Sequence, residues 1–169
     1  MNKKVKNILL LILLLVVLGM TIGYAALAQL LNINGTANIT ASWDIKITNI
    51  AEGTLSGAKS KTAAVVSGDK LSATFDVDLL YPGASATYIV TVQNGGTIDA
   101  KLESITGIDT ANSAAPSGII YSINAVESDV LNNGDSKDYT VTVKWEDTNA
   151  IPEVKTKSAT ITLNYVQAI

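Results

Sequence analysis

An unbroken alternation of residue types occupies positions 31–47, where every odd position is apolar or small and every even position is polar. Alternation with a period of two places successive side chains on opposite faces of a β-strand. Seventeen residues would extend about 56 Å at about 3.3 Å each, whereas a domain of this size is about 35 Å across. The segment must therefore bend within its own domain, for which Gly35 offers a point, or extend beyond that domain.

The same alternation recurs along the rest of the chain. Residues 71–79, 139–145 and 159–165 alternate in this way, and shorter strands fit residues 63–66, 88–92, 100–105 and 119–123. Turn-forming stretches rich in Gly, Pro, Asn and Asp separate these segments. Eight or nine short strands without a convincing amphipathic helix predict an all-β fold, an antiparallel β-sandwich of immunoglobulin-like or jelly-roll-like type. We expect one such domain over residues 29–169.

The first 28 residues have the three parts of a secretory signal peptide. Three lysines precede an apolar run at residues 8–18, and a site of small residues follows. Cleavage at that site would involve Ala26 and Ala28 and would leave Gln29 as the new amino terminus. This pattern predicts a protein that is exported across the cytoplasmic membrane to the cell surface or the extracellular space.

An uncleaved membrane anchor is the alternative interpretation of the same segment. Residues 8–31 contain no charged side chain, and as a helix they would span about 36 Å. The apolar core of a bilayer is about 30 Å thick. Both interpretations export the rest of the chain across the cytoplasmic membrane, so they agree on location and differ on attachment.

The chain contains neither cysteine nor histidine. Without cysteine it has no disulfide, no thiol nucleophile and no thiolate metal site. Without histidine it lacks the commonest general base and the commonest zinc ligand. The sequence therefore predicts a protein that is not an enzyme and has no catalytic residues, metal site or cofactor.

The net charge of −3 also bears on the choice of partners. Three of the twelve lysines, Lys3, Lys4 and Lys6, precede the apolar run, and the acidic residues number fifteen. Nucleic-acid binding requires a clustered basic surface, and the remainder of the chain has no such cluster. Nucleic acid is therefore not an expected partner.

Two groups of side chains are candidates for binding sites. Six aspartates lie near strands or turns: Asp44, Asp69, Asp76, Asp78, Asp135 and Asp138. They lack the compact loop of oxygen ligands that calcium requires, and alternating carboxylates on a strand usually face solvent. The two tryptophans, Trp43 and Trp145, occupy odd positions, which are the apolar positions of their alternating segments. This placement predicts that both are buried in the core.

A faint internal repeat connects two segments of the chain. Residues 82–92 (PGASATYIVTV) and 133–143 (NGDSKDYTVTV) are identical at six of eleven positions. Each combines a turn with the start of a strand, and the shared Tyr and Val residues fall on one parity. An offset of 51 residues is too short for two sandwich domains. We therefore interpret the repeat as two segments of a single domain that use the same kind of turn to begin a strand.

The segment LLYPGASATYIVTVQNGGTIDAKLESI resembles small exported proteins of Gram-positive bacteria, in particular the TasA/camelysin family of biofilm-matrix proteins. The resemblance covers residues 75–105 well and the termini loosely. It implies an exported sandwich that polymerises into fibres, in which the amino-terminal strand of one subunit completes the sheet of the next. Camelysins have also been classed as metallopeptidases, and a chain without histidine departs from that implication.

The sequence thus predicts an exported structural protein that self-associates into fibres of the biofilm matrix or the cell surface by donor-strand exchange. The predicted donor strand lies within residues 29–39, and its apolar face consists of Leu31, Ile33, Gly35, Ala37 and Ile39. The alternative function is a monomeric, membrane-anchored adhesion or binding module at the cell surface. In that case residues 1–28 would remain attached and the alternating segment would pair within its own domain.

Overall fold

A computed structural model of the protein describes residues 2–27, 33–146, 151 and 153–168. The chain divides into two compact units, Met1–Ile39 and Thr40–Ile169. The predicted cleavage residues Ala28 and Gln29 and the first donor residue, Leu31, lie outside the described part of the chain.

The first unit contains helix α1, Lys3–Leu27. Beyond Lys6 the helix sequence is uncharged, free of proline and rich in leucine, a composition that favours a helix. Within the described residues, none of the helices reaches the combined length and hydropathy that crossing a membrane requires. Residues 33–39 have no regular secondary structure, and the side chains of Ile33 and Ile39 are 96% and 95% exposed.

The second unit consists mainly of β-strands. In chain order they are β1 Ile45–Ser56, β2 Ala58–Val66, β3 Ala73–Leu79, β4 Ser85–Asn94, β5 Ala100–Thr106, β6 Ile119–Ile123, β7 Val130–Leu131, β8 Ser136–Trp145 and β9 Thr162–Gln167. A short helix, α2, spans Ile108–Ser113 between β5 and β6. The described strand pairs are all antiparallel, so the predicted all-β, antiparallel class is confirmed.

The strands form three sheets. The largest has four strands in the order β1-β4-β8-β6, a second pairs β2 with β3, and a third has the order β7-β5-β9. We call the first the floor sheet. Alternate residues of β4 and β8 are buried, which gives the floor sheet one apolar face and one face toward solvent, as expected for an antiparallel sheet covered on one side.

Both smaller sheets pack against this apolar face. On one half, Tyr88 of β4 is fully buried and stacks on Phe75 of β3, with ring centroids 4.1 Å apart. On the other half, Tyr139 of β8 is 1% exposed, and its hydroxyl lies 2.6 Å from that of Tyr165 on β9. The hydrophobic core is therefore divided into two clusters over a single sheet.

The internal repeat corresponds to a local two-fold symmetry of the floor sheet. The repeat equates Ile89 with Thr140, and these two residues lie directly opposite each other in the pairing of β4 with β8. A residue that precedes Ile89 by a given number of positions pairs with the residue that follows Thr140 by the same number. Tyr88, for example, lies opposite Val141. The repeated segments therefore pair with one another about a local axis, and the buried parity predicted for their Tyr and Val residues is confirmed.

The turns before β4 and β8 follow the same symmetry. The backbone N–H of Gly83 donates to the carbonyl of Trp145 at 2.9 Å, and that of Gly134 donates to the carbonyl of Asn94 at 2.8 Å. Both glycines have a positive φ, +91° and +81° respectively, a conformation that other residues adopt only with strain. The glycine shared by the two repeats is thus required by the turn that precedes each strand.

One prediction about the first strand is wrong for the described residues. The alternation predicted a single strand over residues 31–47, but β1 begins at Ile45, and residues 33–44 have no strand assignment. Alternation specifies which face a residue would occupy, whereas a strand also requires a neighbour that accepts its backbone hydrogen bonds. Residues 42–44 instead contact the loop after β4, where Thr97 N–H donates to the carbonyl of Ser42 at 3.0 Å.

Helix α2, which the strand pattern did not predict, covers the edge of the floor sheet at β6. The side-chain amide of Asn112 donates to the carbonyl of Tyr121 at 2.9 Å, and its oxygen accepts from the backbone N–H of Tyr121 at 2.8 Å. The Asn112 side chain thus occupies the place of a neighbouring strand. We refer to β6 with this covering helix as the closed edge.

Candidate functional site

A cavity of about 620 Å³ lies over the middle of the floor sheet. All four strands contribute side chains to its base: Ile45, Ile47 and Ile50 from β1, Val90 and Val92 from β4, Val141 from β8, and Tyr121 and Ile123 from β6. These residues belong to the apolar face that the smaller sheets cover elsewhere. The cavity is therefore a part of the core surface that the two smaller sheets leave uncovered, and we call it the groove.

Two edge strands line the groove from opposite sheets. Strand β3 contributes Ala73 and Phe75, and β9 contributes Leu163 and Tyr165. Each is the last strand of its sheet among the described residues, because β3 pairs with β2 and β9 pairs with β5. An edge strand presents unpaired backbone N–H and C=O groups, so the groove combines an apolar base with hydrogen-bonding groups of two strands.

The turn between β2 and β3 and the residues before β1 form one end of the groove. The carbonyl of Lys70 accepts from Ile47 N–H at 2.7 Å, which attaches this turn to β1. Leu71 and Trp43 also line the groove, and their side chains are 70% and 47% exposed. The prediction that Trp43 is buried is therefore wrong, because the strand on which its parity was based begins only at Ile45. Trp145 is half-buried.

The predicted donor residues are accessible where the structure describes them. Ile33, Gly35, Ala37 and Ile39 are all exposed, and Ala26 of the predicted cleavage site lies in α1. Two large, nearly fully exposed isoleucines in one short segment are costly in water, because burying each would release about 1.5–3 kcal/mol. The segment therefore has an apolar face without a partner among the described residues of its own unit.

The residue pattern of the donor segment matches the pattern of the strands beside the groove. In β3, the odd positions from Ala73 to Leu79 are half-buried and the even positions are exposed. The donor segment has apolar or small residues at its odd positions and polar residues at its even positions. A strand of this pattern could lie beside β3 with its apolar face on the base of the groove and its Asn and Thr side chains toward solvent.

The β9 side of the groove includes a tyrosine, Tyr165, with a strongly perturbed hydroxyl. Burial raises the pKa of Tyr165, and its hydrogen bond to Tyr139 raises that pKa further. The hydroxyl therefore stays protonated over the physiological pH range. Tyr139 in turn lies 5.9 Å from the ammonium of Lys137, which forms a 2.5 Å ion pair with Asp129.

The aspartates considered as metal ligands are dispersed. Asp44 pairs with Lys46 at 2.6 Å, and Asp76 pairs with Lys61 at 3.6 Å. Asp138 accepts a hydrogen bond from Thr91 at 2.6 Å. Over the residues that the structure describes, no three acidic side chains come close enough together to hold a metal ion.

Comparison with known proteins found no matching family model, curated protein or solved structure. The resemblance to the TasA/camelysin family therefore stays a prediction. The functional hypothesis therefore rests on the geometry of the groove and its two edge strands.

Neither the groove nor its far wall, residues 157–161 before β9, could be predicted from the sequence. The groove results from the separation of two sheets, which no local pattern records. The far wall depends on Lys157, which in the sequence EVKTKS looks like any solvent-exposed lysine. Its side chain instead lies among backbone carbonyls. Every residue has a backbone carbonyl, so the sequence does not show which lysine is bound by several of them.

Proposed function

We propose that this chain is an exported structural protein that assembles into fibres at the cell surface or in a biofilm matrix, as the resemblance to the TasA/camelysin family implies. Residues 31–39 of one copy enter the groove of the next copy as an added strand. The observation that carries the proposal is an apolar groove lined by two edge strands, β3 and β9, in a chain that also exposes an alternating segment.

In this proposal the fold is a sandwich with one strand missing. The floor sheet is one layer, and the β2–β3 and β7–β5–β9 sheets are two parts of the other. A donor strand between β3 and β9 joins these parts into a continuous sheet, in the manner of β-strand addition. The donated strand supplies the apolar contacts that the open part of the floor sheet lacks.

The energetics are favourable because the acceptor already exists. Burial of Leu31, Ile33 and Ile39 contributes about 5–9 kcal/mol, and about six ladder hydrogen bonds contribute about 1 kcal/mol each. Association costs about 4–15 kcal/mol. A preformed base and two preformed walls reduce the part of this cost that comes from ordering the acceptor.

Export and assembly are linked in this proposal through the amino terminus. The proposal assigns the exposed apolar side chains at positions 8–18 of α1 to contact with the export machinery. Cleavage after Ala28 frees the donor segment outside the cell. Retention of α1 would keep the donor at the membrane, which corresponds to the alternative function of a monomeric, anchored adhesion or binding module.

The test uses residues 29–169 and compares charge on the two faces of the donor. The variant Ile33→Asp/Ile39→Asp places carboxylates on the apolar face, and the control Asn34→Asp/Asn38→Asp adds the same charge on the polar face. We expect filaments by electron microscopy from the wild type and the control, and monomers by light scattering from the first variant. Monomers from all three chains at high concentration would contradict the proposal.

A further inference from the structure

The ammonium group of Lys157 lies among three backbone carbonyls. Its Nζ donates to the carbonyl oxygens of Ile119 at 2.6 Å, Pro116 at 3.0 Å and Asn112 at 3.4 Å. These carbonyls belong to α2, the following loop and the start of β6. Within the described residues no carboxylate pairs with Lys157, so the cation is bound by neutral dipoles.

The backbone of Lys157 makes a contact as well. Its carbonyl accepts a hydrogen bond from the hydroxyl of Tyr121 at 3.0 Å. Tyr121 lies in the base of the groove, and its own backbone is bound by Asn112 at the closed edge. Both the ammonium and the backbone carbonyl of Lys157 are therefore hydrogen-bonded to α2, to β6 or to the loop between them.

The residues that follow Lys157 form the far wall of the groove. Ala159, Thr160 and Ile161 line the cavity and lead directly into β9. We call residues 157–161 the wall segment. It has no strand assignment, and the described hydrogen bonds between residues 153–161 and the rest of the protein all involve Lys157.

A close approach at Gly107 fixes the second end of the wall segment. A Cβ atom at this position would lie 1.9 Å from the carbonyl oxygen of Thr160, so no other residue fits without moving the wall. Gly107 also has a φ of +92°, which favours glycine. The wall segment is thus packed at Thr160, and its hydrogen bonds to the described part of the chain are those of Lys157.

We infer that Lys157 is a positioning residue for assembly, whose ammonium holds the wall segment at the spacing from β3 that admits a donor strand. This inference rests on the proposed function. Without the ammonium, three carbonyls lose a charged hydrogen-bond donor, and the wall segment keeps its packing at Gly107 and the hydrogen bond from Tyr121 to the backbone carbonyl of residue 157. The wall then moves relative to the groove base, and donor binding weakens although the floor sheet stays folded.

The test uses the full chain in detergent with Ile33→Asp and Ile39→Asp, so that its own donor does not compete. The probe is a fluorescein-labelled peptide with the sequence of residues 29–41, and its Kd is measured by fluorescence anisotropy. Three further variants are compared in this background. They are Lys157→Met, the conservative Lys157→Arg, and the control Lys155→Met, which alters an exposed lysine of the same loop.

We expect Lys157→Met to raise Kd by about tenfold or more, Lys157→Arg to restore most of the affinity, and Lys155→Met to leave it unchanged. Amide hydrogen exchange in Lys157→Met should accelerate in the wall segment and stay slow in β4 and β8. The inference is overturned if Lys157→Met binds the peptide as tightly as Lys155→Met, if arginine fails to restore binding, or if exchange accelerates equally in β4 and β8. Absence of peptide binding to every chain would instead refute the proposed function, and this inference with it.

Discussion

The closed edge and the groove differ in what happens to the unpaired backbone groups of a strand at the end of a sheet. At the closed edge, Asn112 satisfies both backbone groups of Tyr121, and α2 covers β6. At the groove, β3 and β9 present their outer edges toward an apolar base, and the described residues cover neither. Exposed edges favour association with other strands, and natural proteins usually protect them.

The difference shows that this fold has the means to cover an edge. A helix of six residues with one asparagine is sufficient at β6. The groove has two edges, apolar side chains between them and an accessible alternating segment in the same chain. We therefore interpret the closed edge as protection against unspecific pairing and the groove as an acceptor for one specific strand. The following changes alter one region without the other.

The largest effect is expected from filling the groove. Ala159 lines it and is half-buried, whereas its neighbour Ser158 is exposed. Ala159→Trp should occupy the space of the donor strand and weaken binding of the donor peptide by about a hundredfold or more. Ser158→Trp adds the same ring on the opposite parity and serves as the control. Equal peptide affinity in the two variants, measured by anisotropy, would mean that the donor does not enter the groove.

A smaller effect is expected from opening the closed edge. Asn112→Ala leaves the backbone N–H and C=O of Tyr121 without their described partners, which should cost about 1–3 kcal/mol in the free energy of unfolding. Urea denaturation measures this loss. Ser113→Ala, which removes only an exposed hydrogen bond to Asp109, should cost less than about 0.5 kcal/mol. If both variants unfold at the same urea concentration, Asn112 does not protect the edge.

The smallest effect concerns the hydrogen bond between Tyr139 and Tyr165, of which Tyr165 lines the β9 side of the groove. Tyr165→Phe removes the hydrogen bond to Tyr139 and should cost about 1 kcal/mol at neutral pH. Because the pKa of Tyr165 is raised in the folded state, its contribution to stability is fully present below about pH 10, where the unfolded tyrosine titrates. That contribution is lost as the pH rises further. The wild type should therefore lose stability above pH 10 more steeply than Tyr165→Phe, as thermal unfolding at several pH values would measure.

The sequence pattern predicted most strands because a half-buried strand needs alternating residues, and β3, β4, β8 and β9 all show this alternation. It failed along β1, whose pairing with β4 shifts register between Ile47 and Asn49 and again between Glu52 and Leu55. Each irregularity moves the following side chains to the other face, so the alternation ends while the strand continues to Ser56.

The candidate site was less predictable than the strands. The apolar face of the donor segment is visible in the sequence, because it is a local property of positions 31–39. The acceptor depends on contacts between residues distant in the chain, such as those of Lys157 with Pro116 and Ile119. Helix α2 has six residues, fewer than two helical turns, and is too short to show an amphipathic period.

The most direct test of donor-strand assembly is to locate the donor in the assembled state. A photo-crosslinking residue replaces Asn38, which lies on the polar parity of the donor, in residues 29–169. Chains labelled with ¹⁴N and ¹⁵N are mixed before assembly, irradiated and digested, and mass spectrometry identifies the cross-linked peptides. We predict cross-links between differently labelled chains that join residue 38 to β3 or β9. Cross-links confined to single chains, or to surfaces outside the groove, would contradict the account.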